Sequence, residues 1–240
     1  MEPPKIPNSK ISIFSKIRGR IYQRITSYLY FKWPSLWWSS RSSRYYENKA
    51  GSEEIKSRAN ARHQRLIEKL GLLEWDSMLE VGCGFGWNLH SFQSKNPNKV
   101  FHGCDFSSNQ ISQAEKLYSP KIKFDVADAQ SLPYADGSFD IVITITCFQH
   151  VPPNHIEKAM KEIQRVSKRH ILLLEMDSEF ATKDEIEEQL NSRVAFWHNY
   201  SGMVNTNFVT TFHEDWSDFN NRIEPISLHV YSKVDETEIN

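Results

Sequence analysis

Residues 77–175 alternate between two patterns of hydrophobic residues, one typical of strands and the other of helices. Short apolar runs bounded by turn residues predict strands, and the stretches between them repeat apolar residues every three or four positions, as helices do. Strands that alternate with helices predict a parallel sheet with helices on both faces. The predicted strands are residues 77–81, 100–104, 122–126, 139–146 and 170–175.

The same periodicity predicts helices before and between these strands, and Gly71 marks the end of the first of them. The predicted helices are residues 52–72, 86–94, 109–117 and a segment from Pro152-Pro153 to about residue 167. Beyond residue 175 the pattern predicts one more helix over 182–199. A final antiparallel pair is predicted from residues 222–228 and 229–234.

A glycine-rich turn joins the first predicted strand to the next helix. The strand ends in Glu80, and glycines follow at positions 82, 84 and 86. Alternating glycines let the backbone turn sharply off a strand and approach a ligand, and the first amides of the helix then face that ligand. Trp87 stands where the dinucleotide fingerprint has its third glycine, which disfavours NAD or FAD as the ligand.

This turn and four later segments resemble the motifs of class I S-adenosylmethionine (SAM) methyltransferases. The resemblance covers residues 77–175, and its motifs fall in the family's order. They are Glu-x-Gly-x-Gly-x-Gly at 80–86, Asp105 after the second strand, Asp128-Ala129 after the third, Leu132–Val142, and Gln149-His150-Val151. The resemblance implies an α/β fold with a Rossmann-like, seven-stranded, mostly parallel sheet and an N-terminal helical extension. It also implies that SAM is the cofactor.

The resemblance further implies how the cofactor is held. Asp105 would accept hydrogen bonds from both ribose hydroxyls, which an ionised carboxylate does well, and Asp128 would accept one from the adenine amino group. Either acid could instead cap a helix. The residues expected to contact SAM are Glu80, Gly82, Cys83, Gly84, Gly86, Asn88, Asp105, Phe106, Asp128, Ala129 and Cys147.

The methyl group of SAM is already activated, so the protein mainly positions the acceptor and excludes water. A hydroxyl acceptor also benefits from a base, whereas an amine above its pKa needs none. His150 is the first candidate base because it follows the fourth strand, although it could simply begin a helix. His213, in the segment Phe212–Trp216, is a second candidate. The aromatic residues expected to wall the acceptor pocket are Tyr46, Trp197 and Tyr200.

Composition fits one α/β domain with additions: 240 residues, 39% hydrophobic and 25% charged. The three cysteines (83, 104 and 147) lack metal-ligand spacing, and their odd number disfavours a disulfide framework, so no metal site is expected. The chain shows neither a signal-peptide pattern nor an uncharged apolar run of the roughly 18 residues that a membrane span needs. A cytoplasmic location is therefore expected.

Charge is distributed unevenly. Residues 1–50 hold ten basic and two acidic side chains, a net charge of +8, whereas the rest of the chain carries −9. Apolar residues recur every three or four positions over 11–29, and tryptophans follow at 33, 37 and 38. A basic amphipathic helix followed by tryptophans favours peripheral contact of residues 10–38 with an anionic membrane, here the inner membrane surface. Alternatively, this helix packs on the catalytic domain as a lid, or in a dimer.

The sequence thus predicts a basic, aromatic N-terminal arm over 1–50. A SAM-dependent methyltransferase domain follows over 51–240, with an insertion at about 176–222. The expected activity is methylation of an O or N atom of a small-molecule acceptor, with sugar- and lipid-linked molecules included. One alternative is nucleic-acid methylation guided by the basic arm, but Pro152-Pro153 come later than the Pro-Pro of amino-methylating DNA enzymes. Another is a SAM-binding regulator without transfer activity.

Overall fold

A computed structural model of the protein describes Trp38 and residues 53–180, 195–216 and 226–234. Apart from Trp38, the predicted N-terminal arm lies outside these residues. So does Tyr46, and so does most of the helix predicted over 182–199. Within the described ranges, every helix is too short or too polar to cross a lipid bilayer.

The chain forms a seven-stranded sheet in which strands and helices alternate. Its elements are α1 (Glu53–Leu70), β1 (Ser77–Val81), α2 (Trp87–Lys95), β2 (Val100–Asp105), α3 (Ser108–Tyr118), β3 (Lys123–Val126), β4 (Phe139–Ile145), α4 (Pro153–Val166), β5 (Ser167–Met176), β6 (Phe208–Asp215) and β7 (Ile226–Lys233). The strand order is β3-β2-β1-β4-β5-β7-β6, and only β7 runs antiparallel to its neighbours. The predicted Rossmann-like, mostly parallel sheet is confirmed.

The predicted helix over 182–199 is wrong at its C-terminal end. Residues 195–199 are not helical, and His198 forms a parallel bridge with Asp177. Their backbone groups bond to distant segments instead: the Phe196 amide donates to the Gln149 carbonyl at 2.6 Å, and the His198 carbonyl accepts from Ser178 at 3.2 Å. Pairing with distant segments has here overridden a helical sequence pattern.

The predicted final pair is also wrong. Residues 226–233 form one strand, β7, whose partners are β5 and β6. Six consecutive β7 residues from Ile226 to Tyr231 are buried, so both faces of this strand are covered and the alternation expected of a half-exposed hairpin is absent. On this side of the sheet the edge strand is β6, which includes His213.

Two layers of helices cover the sheet. The centre is β4, whose Ile141, Val142 and Ile143 are fully buried. The apolar faces of α1, α2 and α3 pack on one side of the sheet. On the other side α4 packs with residues that recur every three or four positions, namely Ile156, Ala159, Met160 and Ile163.

The strand order also creates a crevice. The chain leaves β1 towards β2 on one side, whereas β4 lies on the other side of β1. The connections that follow β1 and β4 therefore diverge, and ligands of open α/β sheets bind at such a point, beyond the carboxyl ends of the strands.

Candidate active site

A cleft of about 290 Å³ opens at this point. The connections that follow β1, β2, β3 and β4 form its walls, so the parallel strand ends bring distant parts of the sequence together. The sequence-predicted residues that line the cleft are Gly82, Cys83, Gly84, Asn88, Asp105, Phe106, Asp128, Ala129, Cys147 and His150. Glu80, Gly86 and His213 do not line it.

The glycine turn adopts a backbone that other residues would strain. Gly82, Gly84 and Gly86 have φ angles of +75°, +56° and +80°. A Cβ on Gly82 would lie 2.0 Å from the Cys147 Sγ, so this turn packs directly against the turn after β4. Gly86 instead lies against a core side chain, because a Cβ there would come within 2.8 Å of the Phe124 ring. Gly86 thus permits packing of α2 and does not face the cleft.

Asp105, at the end of β2, presents a fixed carboxylate to the cleft. It is 6% exposed, and its oxygens accept from the Gly84 amide at 3.1 Å and the Ser107 amide at 2.8 Å. Burial raises its pKa to about 6, although the two donated bonds oppose the shift. Ser107, and not Asp105, caps α3, so the helix-cap alternative does not apply. Each carboxylate oxygen retains lone pairs for a further donor.

Asp128 belongs to a turn after β3 and likewise caps no helix. Its Oδ1 accepts from the Gln130 amide at 2.8 Å, and its backbone forms a bridge with Ser131. This turn exposes the carboxylate and places Asp128 and Ala129 along the wall of the cleft.

The Glu80 side chain lies outside the cleft and binds the helix that follows the glycine turn. Its carboxylate is fully buried, and Oε1 accepts from the Asn88 side chain at 2.6 Å. The Asn88 Oδ1 in turn contacts His63 Nε2 at 2.7 Å and Arg62 Nη2 at 3.3 Å. Burial raises the pKa of Glu80 to about 8 and lowers the pKa of His63 to about 4. This network connects α1 to β1 and to the first turn of α2, the two elements that the glycine turn joins.

Arg62 brings α1 into the cleft wall, which the sequence did not predict. The segment around His213 helps to hold α1 there. Glu214 on β6 forms ion pairs with Arg65 and Lys69 of α1, and the Arg65 guanidinium lies 4.2 Å from the Trp216 ring centroid. The segment Phe212–Trp216 therefore contributes to the packing of α1.

Replacing Glu80 by glutamine should stabilise the unliganded protein at pH 7. The pKa of Glu80 is about 8 in the folded protein and ordinarily 4.5, so ionisation favours the unfolded chain as the pH rises from 4.5 to 8. Glutamine cannot ionise and keeps an oxygen for Asn88. We expect a gain in the free energy of unfolding of about 1–3 kcal/mol at pH 7, most of it gone at pH 5.

Urea unfolding at the two pH values measures this difference. Glu115→Gln, on an exposed position of α3, should change stability at neither pH. A loss of stability at pH 7 in Glu80→Gln would show that the negative charge itself is needed for folding.

The turn after β4, which packs against the glycine turn, supplies further polar groups to the cleft. A 3-10 turn, Phe148–His150, buries Phe148 and directs Cys147, Gln149 and His150 to the cleft. The Gln149 Nε2 lies 3.3 Å from the His150 Nε2. The Gln149 Oε1 is buried and has no hydrogen-bond partner among the described residues.

An aromatic wall borders these polar groups. The Trp38 ring meets the His150 ring edge to face, with centroids 4.9 Å apart, and both line the cleft. Phe85, Trp87 and Phe106 also line the cleft.

Burial raises the pKa of the Cys147 thiol, which therefore stays neutral at physiological pH.

The structure does not bring His213 into the cleft. It lies on β6, at the sheet edge beyond β5 and β7, where its ring stacks on His229 with centroids 4.2 Å apart. Tyr200 is fully buried in the core on the α4 side of the sheet, and Trp197 packs against the core on the other side, so neither lines the cleft as expected.

The fold and cleft agree with comparisons with known proteins. Residues 78–170 match a family model described as a methyltransferase domain. Ajmaline N-methyltransferase from Rauvolfia serpentina is 37% identical over 97 residues, which are 38% of this chain and 32% of the relative. The 27-O-demethylrifamycin SV methyltransferase from Amycolatopsis mediterranei is 30% identical over 123 residues, 49% and 44% of the two chains.

Among solved structures, magnesium protoporphyrin IX methyltransferase from Synechocystis PCC 6803 with bound SAM matches the fold. Its TM-score is 0.57 at 15% identity, and the match covers 88% of this chain and 97% of that one. The chain thus resembles a methyltransferase domain over residues 78–170 and has the fold of class I methyltransferases. It spans less than half of the length of the curated relatives it matches.

Proposed function

We propose that this chain transfers the methyl group of SAM to an oxygen or nitrogen atom of a ring-containing small molecule. One observation carries the proposal: the glycine turn and the pair Gln149–His150, beside Trp38, line the same cleft. Cofactor-binding and acceptor-binding groups thus share one space. Such a shared space is what a direct transfer between two bound molecules requires.

The residues around the glycine turn fit SAM. Gly82 and Gly84 have positive φ angles, and the backbone at Gly82 leaves no room for a Cβ, as expected where a second turn approaches closely. Asp105 would hold the ribose hydroxyls and Asp128 the adenine amino group, as the family resemblance implies. When bound, SAM supplies a methyl group activated by its sulfonium. The acidic side chains suit a cofactor that carries positive charge.

The turn after β4 would bind the acceptor. Because the Gln149 Oε1 is buried and has no hydrogen-bond partner in the part of the chain that the structure describes, a hydrogen-bond donor of the acceptor would relieve an unfavourable state. An amine N–H, or a hydroxyl next to the one that is methylated, is such a donor. His150 would take the proton that an acceptor hydroxyl loses. Trp38 would cover an apolar ring and keep water away.

The named relatives support both kinds of acceptor atom. One is named for N-methylation of ajmaline and another for methylation of 27-O-demethylrifamycin SV. Similar domains thus serve nitrogen and oxygen acceptors, so the choice between them on this chain depends on residues such as Gln149 and His150.

Release of S-adenosylhomocysteine from SAM, measured against a panel of ring-containing alcohols and amines, tests the proposal. His150→Ala should lower kcat for a hydroxyl acceptor by roughly 100-fold or more, while an amine acceptor loses little. The dissociation constant for SAM should change only a few-fold. His155→Ala is the matched control, since His155 is exposed on α4 outside the cleft.

Two outcomes would contradict the proposal. Binding of SAM without methyl transfer to any acceptor would favour the regulator alternative. Transfer to DNA or RNA alone would favour the alternative in which the basic arm guides methylation of a nucleic acid.

A further inference from the structure

A buried carboxylate holds the turn that carries Gln149 and His150. Glu175, near the end of β5, is fully buried. Its Oε1 accepts from the Cys147 amide at 2.9 Å and its Oε2 from the Gln149 amide at 3.2 Å, and the Phe148 amide also donates to it. Three consecutive backbone N–H groups thus converge on one side chain.

The residue before this turn has an unusual backbone. Thr146 has a φ of +51°, in the left-handed region that β-branched residues rarely enter. Its amide still donates to the Leu174 carbonyl at 2.9 Å, but the next amides leave the β4–β5 ladder and point at Glu175. A strained residue persists only where its surroundings over-determine it, and such residues cluster at functional sites. The Glu175 carboxylate accepts hydrogen bonds from these redirected amides.

An acid at this position is costly in itself. Burial raises the pKa of Glu175 to about 7, and the groups of the described chain that hydrogen-bond to it are three backbone amides and the Thr144 side chain, none of which is a cation. A buried carboxylate without a cation needs a compensating role, because an apolar residue would avoid the desolvation cost. The turn it binds supplies three neighbours of the cleft: Cys147, Gln149 and His150.

We infer that Glu175 is a positioning residue for methyl transfer: it holds the strained turn at Thr146 so that Gln149 and His150 face the cleft. This inference rests on the proposed function. Glu175 does not line the cleft and therefore acts through the turn. A shift of the turn would displace the acceptor-binding groups from the methyl group, whereas the ribose partner Asp105 on β2 would stay in place.

Glu175→Gln tests this role, because glutamine has the same shape but only one oxygen to accept from the converging amides. We expect kcat to fall about 10- to 100-fold, as it does when reacting groups are slightly misplaced, and the dissociation constant for SAM to change by a smaller factor than kcat. Glu157→Gln, on an exposed position of α4, should leave both unchanged. If the variant does not fold, Glu175→Asp, which keeps the charge but has a shorter reach, replaces it with the same expectation.

A second substitution separates positioning from general stability. Glycine adopts a positive φ without strain, so adding Thr146→Gly to Glu175→Gln should recover part of the lost kcat. Recovery of kcat without a matching gain in the free energy of unfolding, measured in urea, would show that Glu175 acts on the position of the turn.

Hydrogen exchange supplies a readout that does not depend on turnover. In Glu175→Gln the amides of residues 146–150 should exchange at least tenfold faster than in the wild type, while the exchange of the β4 amides should be unchanged. Normal kcat and normal exchange in a folded variant would overturn the inference. Wild-type protein that turns over no acceptor would instead refute the proposed function, and the exchange experiment would still decide the role of Glu175.

Discussion

Replacing Asp105 by alanine should weaken binding of SAM by at least 100-fold. Its carboxylate is nearly buried and is fixed by the Gly84 and Ser107 amides, so it needs no reorganisation to accept two hydroxyls. A hydrogen bond to a charged group contributes about 1.5–3 kcal/mol, so two of them give about 3 kcal/mol or more, or roughly 100-fold in affinity. The variant also frees the Gly84 amide.

Calorimetry with SAM and with S-adenosylhomocysteine measures this loss. Asp76→Ala is the matched control, because Asp76 is exposed next to the opposite end of β1. This variant should bind both compounds as the wild type does. Equal affinity in wild type and Asp105→Ala would show that the ribose is held elsewhere.

The same residue should make binding depend on pH. The pKa of Asp105 is about 6, above its ordinary value of 3.8, because burial disfavours its charge. Only the ionised form accepts from both hydroxyls, so wild-type affinity should fall as the pH drops below 6 and level off above 7. This dependence should be much weaker in Asp105→Ala.

The sequence predicted the sheet and the edge where the site lies because both depend on short segments. Apolar runs between turn residues located β1 to β5 within a few positions, and glycines at 82, 84 and 86 identified the turn after β1. Parallel strands end at one edge, so residues that follow strand ends were expected to meet. The predicted end of β4 at 146 was one residue too long, because the backbone of Thr146 turns away with a positive φ that no local pattern signals.

Other parts of the site depend on contacts between distant segments. Arg62 reaches the cleft because Glu214 on β6 helps to fix α1, and the periodicity of α1 does not reveal which of its residues face a ligand. Gln149 belongs to a recognised motif, but only the three-dimensional structure shows that its oxygen is buried and has no hydrogen-bond partner among the described residues. His213 looked like a site residue because its neighbours resembled a motif, whereas the strand order places β6 at the far edge of the sheet.

Replacing Gly82 by alanine should abolish measurable binding of SAM, at least a 100-fold loss. Gly82 has a φ of +75°, and a Cβ there would lie 2.0 Å from the Sγ and 2.6 Å from the Cβ of Cys147. The Cβ of Cys147 is fixed to the backbone and cannot rotate away, so the turns after β1 and β4 must move apart. Strain and overpacking of this kind cost about 1–3 kcal/mol of stability, which many folded proteins tolerate.

Calorimetry and circular dichroism together distinguish a lost site from a lost fold. Gly202→Ala is the matched control, because the nearest atom to its new Cβ is 3.8 Å away and no positive φ is required. Unchanged affinity in folded Gly82→Ala would place the cofactor elsewhere. In the double variant Gly82→Ala/Cys147→Gly the nearest atom becomes the Cα of residue 147, at 3.9 Å, so part of the affinity should return. Without that recovery, the positive φ of Gly82, and not its contact with Cys147, would be what the turn requires.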